Sequence, residues 1–187
     1  MRFETLRIIR DEHTALSAML QSLLIMVRQG PGDAPERFFD VLRAMLFYID
    51  EFPEKQHHPK ESNLLFPRLA RAAPHLMPTI EQLERDHMSG EMRVRELMHL
   101  LMAWEYMGEL HRAAFETEAV RYVAFYLEHM RLEETALLPI AEQVLTDDDW
   151  KVLDRAFSSH EDPLSYRLPR DPKFDRLFTR IVLRAPA

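Results

Sequence analysis

From Thr5 to Gln29, apolar side chains return every three or four residues: Leu6, Ile9, Leu16, Leu20, Leu23 and Val27, with His13 in the same stripe. That is the period of an amphipathic helix, and it turns His13 inward. Gly30-Pro31-Gly32 ends the pattern. A second stripe runs from Pro35 through Phe38, Leu42, Met45 and Ile49 toward His57 and His58, which Pro53 and Pro59 bracket. Each proline removes an amide donor and disfavours a helical residue before it, so a kinked or broken helix is predicted there. Pro67 also interrupts an ideal helix, which resumes to Ala73 before Pro74 and Pro78 mark a turn. A third helix carries Ile80, Leu83, His87, Val94, Leu97 and Leu101 and stops at Gly108. A fourth, from about Glu109 to Val144, has Tyr122, Phe125, His129, Leu132 and Ala136 on its inner face. Thr146 followed by three aspartates reads as an N-cap with an acidic first turn, opening a short fifth helix to Ser158. Asp171-Pro172 opens a sixth, to about Leu183. The predicted fold is all-α: an antiparallel (up-down) four-helix bundle over residues 1–145, with a C-terminal helical extension over 146–187 packed on the same domain.

The chain repeats itself. His57 is followed by Glu61 and then Leu65-Phe66-Pro67; His129 is followed by Glu133 and then Leu137-Leu138-Pro139. Each copy has an acid-His pair upstream, Glu12-His13 and Asp86-His87, and the offsets between corresponding histidines are 74 and 72 residues. A His and a Glu four apart share one helix face. One such pair arises easily by chance. Two in register, with an inward His on each remaining helix, place four imidazoles and two carboxylates around one centre. Burying that set is costly without a cation to compensate. Its nitrogen and oxygen donors suit a pair of iron ions, and zinc or manganese would accept the same donors.

Composition narrows the setting. Hydrophobic residues make up 47% and glycines number four, which suits a helical globular domain. The net charge of −7 argues against a nucleic-acid partner. With no cysteine, thiol catalysis, disulfides and Fe–S clusters are excluded. Neither a signal peptide nor a run of about 18 apolar residues is seen, so a cytoplasmic protein without a membrane partner is expected.

The motifs Glu12-His13, His57-x-x-x-Glu61 before Leu-Phe-Pro, Asp86-His87, and His129-x-x-x-Glu133 before Leu-Leu-Pro resemble the hemerythrin-like, HHE cation-binding family over about residues 5–145. The resemblance implies two non-haem iron ions (Fe2+/Fe3+) with an oxo or hydroxo bridge. It makes His13, His57, His87 and His129 terminal ligands, with Glu61 and Glu133 bridging. Two six-coordinate irons offer twelve positions, and this set with the bridge fills ten. Oxygen-carrying relatives supply a fifth His. Here the third helix has Glu91, not His, one turn after His87. His58 is the preferred fifth nitrogen, although a step of about 100° on an ideal helix turns it away from His57; Glu91 is its rival, and a solvated His58 the third alternative. A site without a fifth ligand would favour sensing or turnover over storage.

The function expected is binding or sensing of dioxygen, nitric oxide or iron, rather than a dedicated enzyme, in a monomer or homodimer. A di-iron oxidase or peroxidase, or a factor repairing nitrosative or oxidative damage, is the alternative. Other features carry less. Glu54-x-x-His57 and Glu84-x-x-His87 match the Glu-x-x-His of ferritin-like bundles, which also need a Glu from two further helices. Glu12 is expected to lie off the His face. Gly90 leaves room either for a diatomic ligand or for close helix packing. Tyr122 and Tyr126 are core residues near His129, within reach of bound oxygen species. The methionines read as core filler. His75, His99 and His111 are expected at the surface, and His160 in a loop.

Overall fold

The computed structural model describes residues 3–159 together with Leu164 and Ile181. The expected sixth helix and His160 lie outside these residues. Helix α1 (Glu4–Gln29) ends at Gly30, whose φ of 74° is open to glycine without strain. The second rod begins as α2 (Pro35–Ile49) and continues through a π-helical stretch, Asp50–His57, a short turn α3 (His58–Lys60), a π turn, Glu61–Leu65, and α4 (Phe66–Ala72). The long α5 (Met77–Met107) stops at Gly108, φ 95°. The fourth rod is α6 (Arg112–Leu132), a π turn at Glu133–Leu137, and α7 (Leu138–Val144). Packing runs in a ring: α1 lies against α2 and α6, and α5 against α2 and α6. This is the up-down four-helix bundle predicted by the apolar stripes. Among the described residues no helix is long and apolar enough to cross a membrane.

The prolines do not break the second rod. Ile49, His57, His58, Lys60 and Phe66 all keep right-handed helical angles, and the backbone widens into π turns instead. A π turn loosens the ladder where a proline offers no amide and its ring would press on the preceding turn. It also places more residues in each turn, so successive side chains diverge by less than on an α-helix. His57 and His58 therefore both face inward, their ring centroids 5.8 Å apart. Pro67 and Pro139 each follow a π turn, so the repeated Leu-x-Pro endings have the same structural consequence in both halves.

The apolar interior is split in two. One cluster, around Leu20, Leu42, Met45, Leu101, Trp104 and Phe115, fills the end near the α1–α2 turn. The other, around Leu6, Ile9, Phe66, Leu83, Leu138 and Phe157, fills the opposite end. The histidines and glutamates of the repeats belong to neither. The methionines divide: Met19, Met26, Met45 and Met130 are core, whereas Met88, Met92 and Met107 are more than 60% exposed, so core filling does not account for them.

A fifth rod, α8 (Asp147–Ser158), closes the second cluster. Thr146 is its N-cap, as the sequence suggested, and Asp149 completes a reciprocal cap. Asp154 accepts from both the amide and the hydroxyl of Thr5, at 2.7 and 2.6 Å, satisfying one of the open amides of α1. Trp150 stacks on Phe3 with centroids 4.3 Å apart. Truncation of Trp150 to Ala is expected to destabilise the fold by roughly 3–5 kcal/mol, measured by chemical denaturation.

Candidate metal centre

Each half of the repeat contributes to one buried layer. Glu61 and Glu133 lie at its middle, fully shielded from solvent. Glu61 Oε1 is 3.1 Å from His57 Nε2, and Oε2 is 3.5 Å from His87 Nε2. Glu133 Oε2 is 3.3 Å from His13 Nε2, and Oε1 is 3.5 Å from His129 Nε2. Each carboxylate therefore reaches one imidazole from each half. The donor atoms fall into two groups, His13–His57–Glu61 and His58–His87–His129–Glu61, and within each group they lie within 4.8 Å of one another.

Four of the five outward-facing ring nitrogens are held by hydrogen bonds. His13 Nδ1 donates to Glu134 at 2.8 Å and His57 Nδ1 to Glu12 at 2.6 Å. Ser62 Oγ donates to Glu84 and accepts from His87 Nδ1, both at 2.9 Å. His58 Nδ1 donates to Glu54 at 3.1 Å, and His129 Nδ1 lies 3.7 Å from Asp86. A carboxylate can only accept, so a proton on Nδ1 is the consistent tautomer, and it leaves the Nε2 lone pair free. The repeat is preserved at this level too. The acid before one His serves the partner motif's His (Glu12 to His57, Asp86 toward His129), while the residue after each central Glu serves the other His (Glu134 to His13, Ser62 to His87).

The inward atoms are not held. Nε2 of His57, His87 and His129, and both oxygens of Glu61 and Glu133, are buried with no hydrogen-bond partner in acceptable geometry. Buried carboxylates in that condition are very costly. The same atoms form a nitrogen and oxygen donor set of the kind that divalent iron, zinc or manganese takes, so the residues present fit a bound metal pair. The outer carboxylates match the partners that orient metal-binding imidazoles elsewhere.

Electrostatics follow from this crowding. Burial works against a charged His13, but adjacent Glu133 and the bond to Glu134 outweigh it and raise the imidazole to about 9. His57 is likewise lifted well above its usual range against burial, by Glu61 and Glu12. Glu61 is held well below the usual carboxylate range: burial opposes this, and the imidazoles of His57 and His87 overcome it. His58 goes the other way, lowered by burial and by His87 and His129.

Of the sequence-predicted set, His13, His57, His58, Glu61, His87, His129 and Glu133 are all brought into this layer. His58 is 5% exposed, stacked on His87 at 4.0 Å, and is not solvated. Glu91 is exposed and paired with Arg95, away from the layer. Two other expectations change. Glu12 is not off the face; it is buried against His57, because the second rod passes close to α1. The space at Gly90 is filled by Glu54, whose Oε1 would sit 2.8 Å from a Cβ there. Tyr122 and Tyr126 donate to that same carboxylate, at 3.3 and 2.9 Å. Burial lifts Glu54 to about 7 although both hydroxyls favour its ionised form. The supporting roles of Glu12, Asp86, Ser62, Glu134 and Glu54 were missed; the repeat alignment was the signal that would have found the first four. His75 and His99 are exposed and His111 half-buried. A small cavity lies against the layer, closed by Leu16, Tyr48, Phe52 and Met130.

The sequence profile of the hemerythrin HHE cation-binding domain matches residues 4–141, and the chain belongs to that family. No curated protein matches it.

Because His13 has a folded value of about 9 against 6.5 when exposed, its charge stabilises the metal-free fold below about pH 6.5, and that stabilisation fades as pH rises through 9. Glu54, raised to about 7, acts in the same direction. The melting temperature of chelator-treated protein is therefore expected to fall from pH 6.5 to 9.

Proposed function

We propose that this cation-binding domain holds two non-haem irons and binds or senses a small diatomic molecule, dioxygen or nitric oxide, through them. The observation that supports this most is the set of buried, unpartnered Nε2 and carboxylate oxygens converging in two groups, with Glu61 in both and Glu133 between His13 and His129. In this reading His13 and His57 would hold one ion and His58, His87 and His129 the other, with Glu61 and Glu133 available to both. When bound, the iron pair supplies exchange between ferrous and ferric states at a site able to take a diatomic ligand.

The chain's own residues set the conditions for that chemistry. Glu12, Glu134, Ser62 and Glu54 keep the imidazoles in the tautomer that presents Nε2 inward. The two carboxylates offset cation charge within a layer sealed at both ends by apolar clusters. The cavity beside His13, His57 and His58 is walled mostly by apolar side chains and suits a small uncharged molecule better than a polar substrate. Tyr48 and Tyr126 both line that cavity, and the hydroxyl proton of Tyr126 is engaged by Glu54.

Five nitrogens, two bridging carboxylates and a solvent-derived bridge would leave a single open position across two six-coordinate ions. That count favours binding or sensing over an oxidase, peroxidase or repair activity, which gains from more than one exchangeable position. We take residues 1–145 as the unit that carries this function, with α8 packed upon it.

Anaerobic reconstitution is expected to load two irons per chain, with protons released because His13 and His57 must give theirs up. Brief exposure to dioxygen should then produce oxo-bridge absorption. Removal of oxygen should restore the starting spectrum in a carrier or sensor; steady consumption of oxygen and reductant would instead support the oxidase. A reconstituted protein with fewer than two metals and no such absorption would overturn the di-iron reading.

A further inference from the structure

We propose that Glu54, seated in the notch left by Gly90 and clamped by Tyr122 and Tyr126, is a positioning residue that turns His58 into the third imidazole of the second ion. This rests on the di-iron reading above. His58 is the one imidazole of the layer that lies outside the duplicated pattern: its counterpart after His129 is Met130. It therefore needs its own means of orientation, and the residues around it supply one.

Glu54 is four residues before His58, and its side chain is 1% exposed. A buried carboxylate must collect donors, and this one has three: His58 Nδ1 on Oε2, Tyr126 and Tyr122 on Oε1. With its Nδ1 proton committed to Glu54, His58 keeps a free Nε2. Tyr126 also lies 3.2 Å from that Nε2. It has one proton to give, and giving it to Glu54 leaves the Nε2 lone pair available to a cation. The stacking of His58 on His87 and its edge toward His129, 5.3 Å away, then put the three rings on one side of Glu61.

Gly90 is what makes this possible. A Cβ at that position would lie 2.8 Å from Oε1 and 3.3 Å from Oε2 of Glu54. α5 adopts ordinary helical geometry here, so glycine is not required for backbone reasons; the requirement comes from the carboxylate pressed against it. Glu54-x-x-His57, which looked like a ferritin-type motif, thus serves the neighbouring His58, four residues on.

The test compares wild type with Glu54→Ala, Glu54→Gln and Gly90→Ala by anaerobic titration with ferrous iron, with metal counted by elemental analysis. Metal-free samples are checked by circular dichroism. Wild type is expected to bind two ions. Glu54→Ala should retain one and bind the second at least about tenfold more weakly. Glu54→Gln, whose side-chain carbonyl can still accept from Nδ1, should recover most of that loss. Gly90→Ala, which keeps Glu54 but displaces it, should resemble Glu54→Ala and guards against a Glu54→Ala chain that does not fold. Nitrogen NMR of metal-free wild type should show His58 protonated on Nδ1. A Glu54→Ala protein that binds both ions as wild type does, or loses both equally, would overturn the inference, as would an Nε2-protonated His58 in wild type. Wild type that never takes a second ion would instead defeat the di-iron reading, a separate failure.

Discussion

Two carboxylates with no hydrogen-bond donors, Glu61 and Glu133, sit in the centre of a helical bundle. No backbone amide or hydroxyl of the protein donates to them; their near neighbours are imidazoles. Such groups in a low-dielectric interior would cost far more than the whole net stability of a domain of this size unless positive charge compensates. Everything around them is arranged for that. The apolar core is divided so that the polar layer has a closed compartment, and the histidines are fixed from outside so that their free nitrogens point in. Protons on the imidazoles can balance the charge in part, and bound cations would complete the balance.

The arrangement is internally duplicated. Glu12 and Asp86, Ser62 and Glu134, and the π turns before Pro67 and Pro139 occupy matching places in the two halves. Support is exchanged between halves where Glu134 serves His13 and Ser62 serves His87, and together with Glu12 serving His57 this ties α1 to both the second and fourth rods. Metal affinity and bundle integrity are thereby linked, since no half can orient its own histidines alone. The symmetry fails at one point: the second rod has His58, Glu54 and the longer π stretch from Asp50 to His57, and the fourth rod has nothing similar. That asymmetry makes the two donor groups inequivalent in nitrogen count.

The sequence carried the bundle, its helix ends at Gly30 and Gly108, and the central donors, because apolar period and the spaced His-x-x-x-Glu copies depend only on local geometry. It did not carry the π turns. Proline at 53 and 59 argued for a break, and only the packed interior shows that the helix widens instead of ending. The role of Glu12 was misjudged for a related reason: on its own helix it sits beside the His stripe, and it becomes an inside residue only once His57 arrives next to it from the second rod. The Gly90 notch was visible as a small residue one turn from His87, but its occupant comes from a distant part of the chain, which one-dimensional spacing cannot reveal. Exposed Met88 and Met92 likewise contradict a purely compositional reading of methionine.

The most direct test of the central claim is anomalous scattering from crystals of iron-loaded protein, collected on either side of the iron absorption edge. The account predicts two iron peaks per chain, roughly 3.5–4 Å apart, each bonded to one oxygen of Glu61 and one of Glu133. A single peak, or two peaks not spanned by those carboxylates, would contradict it.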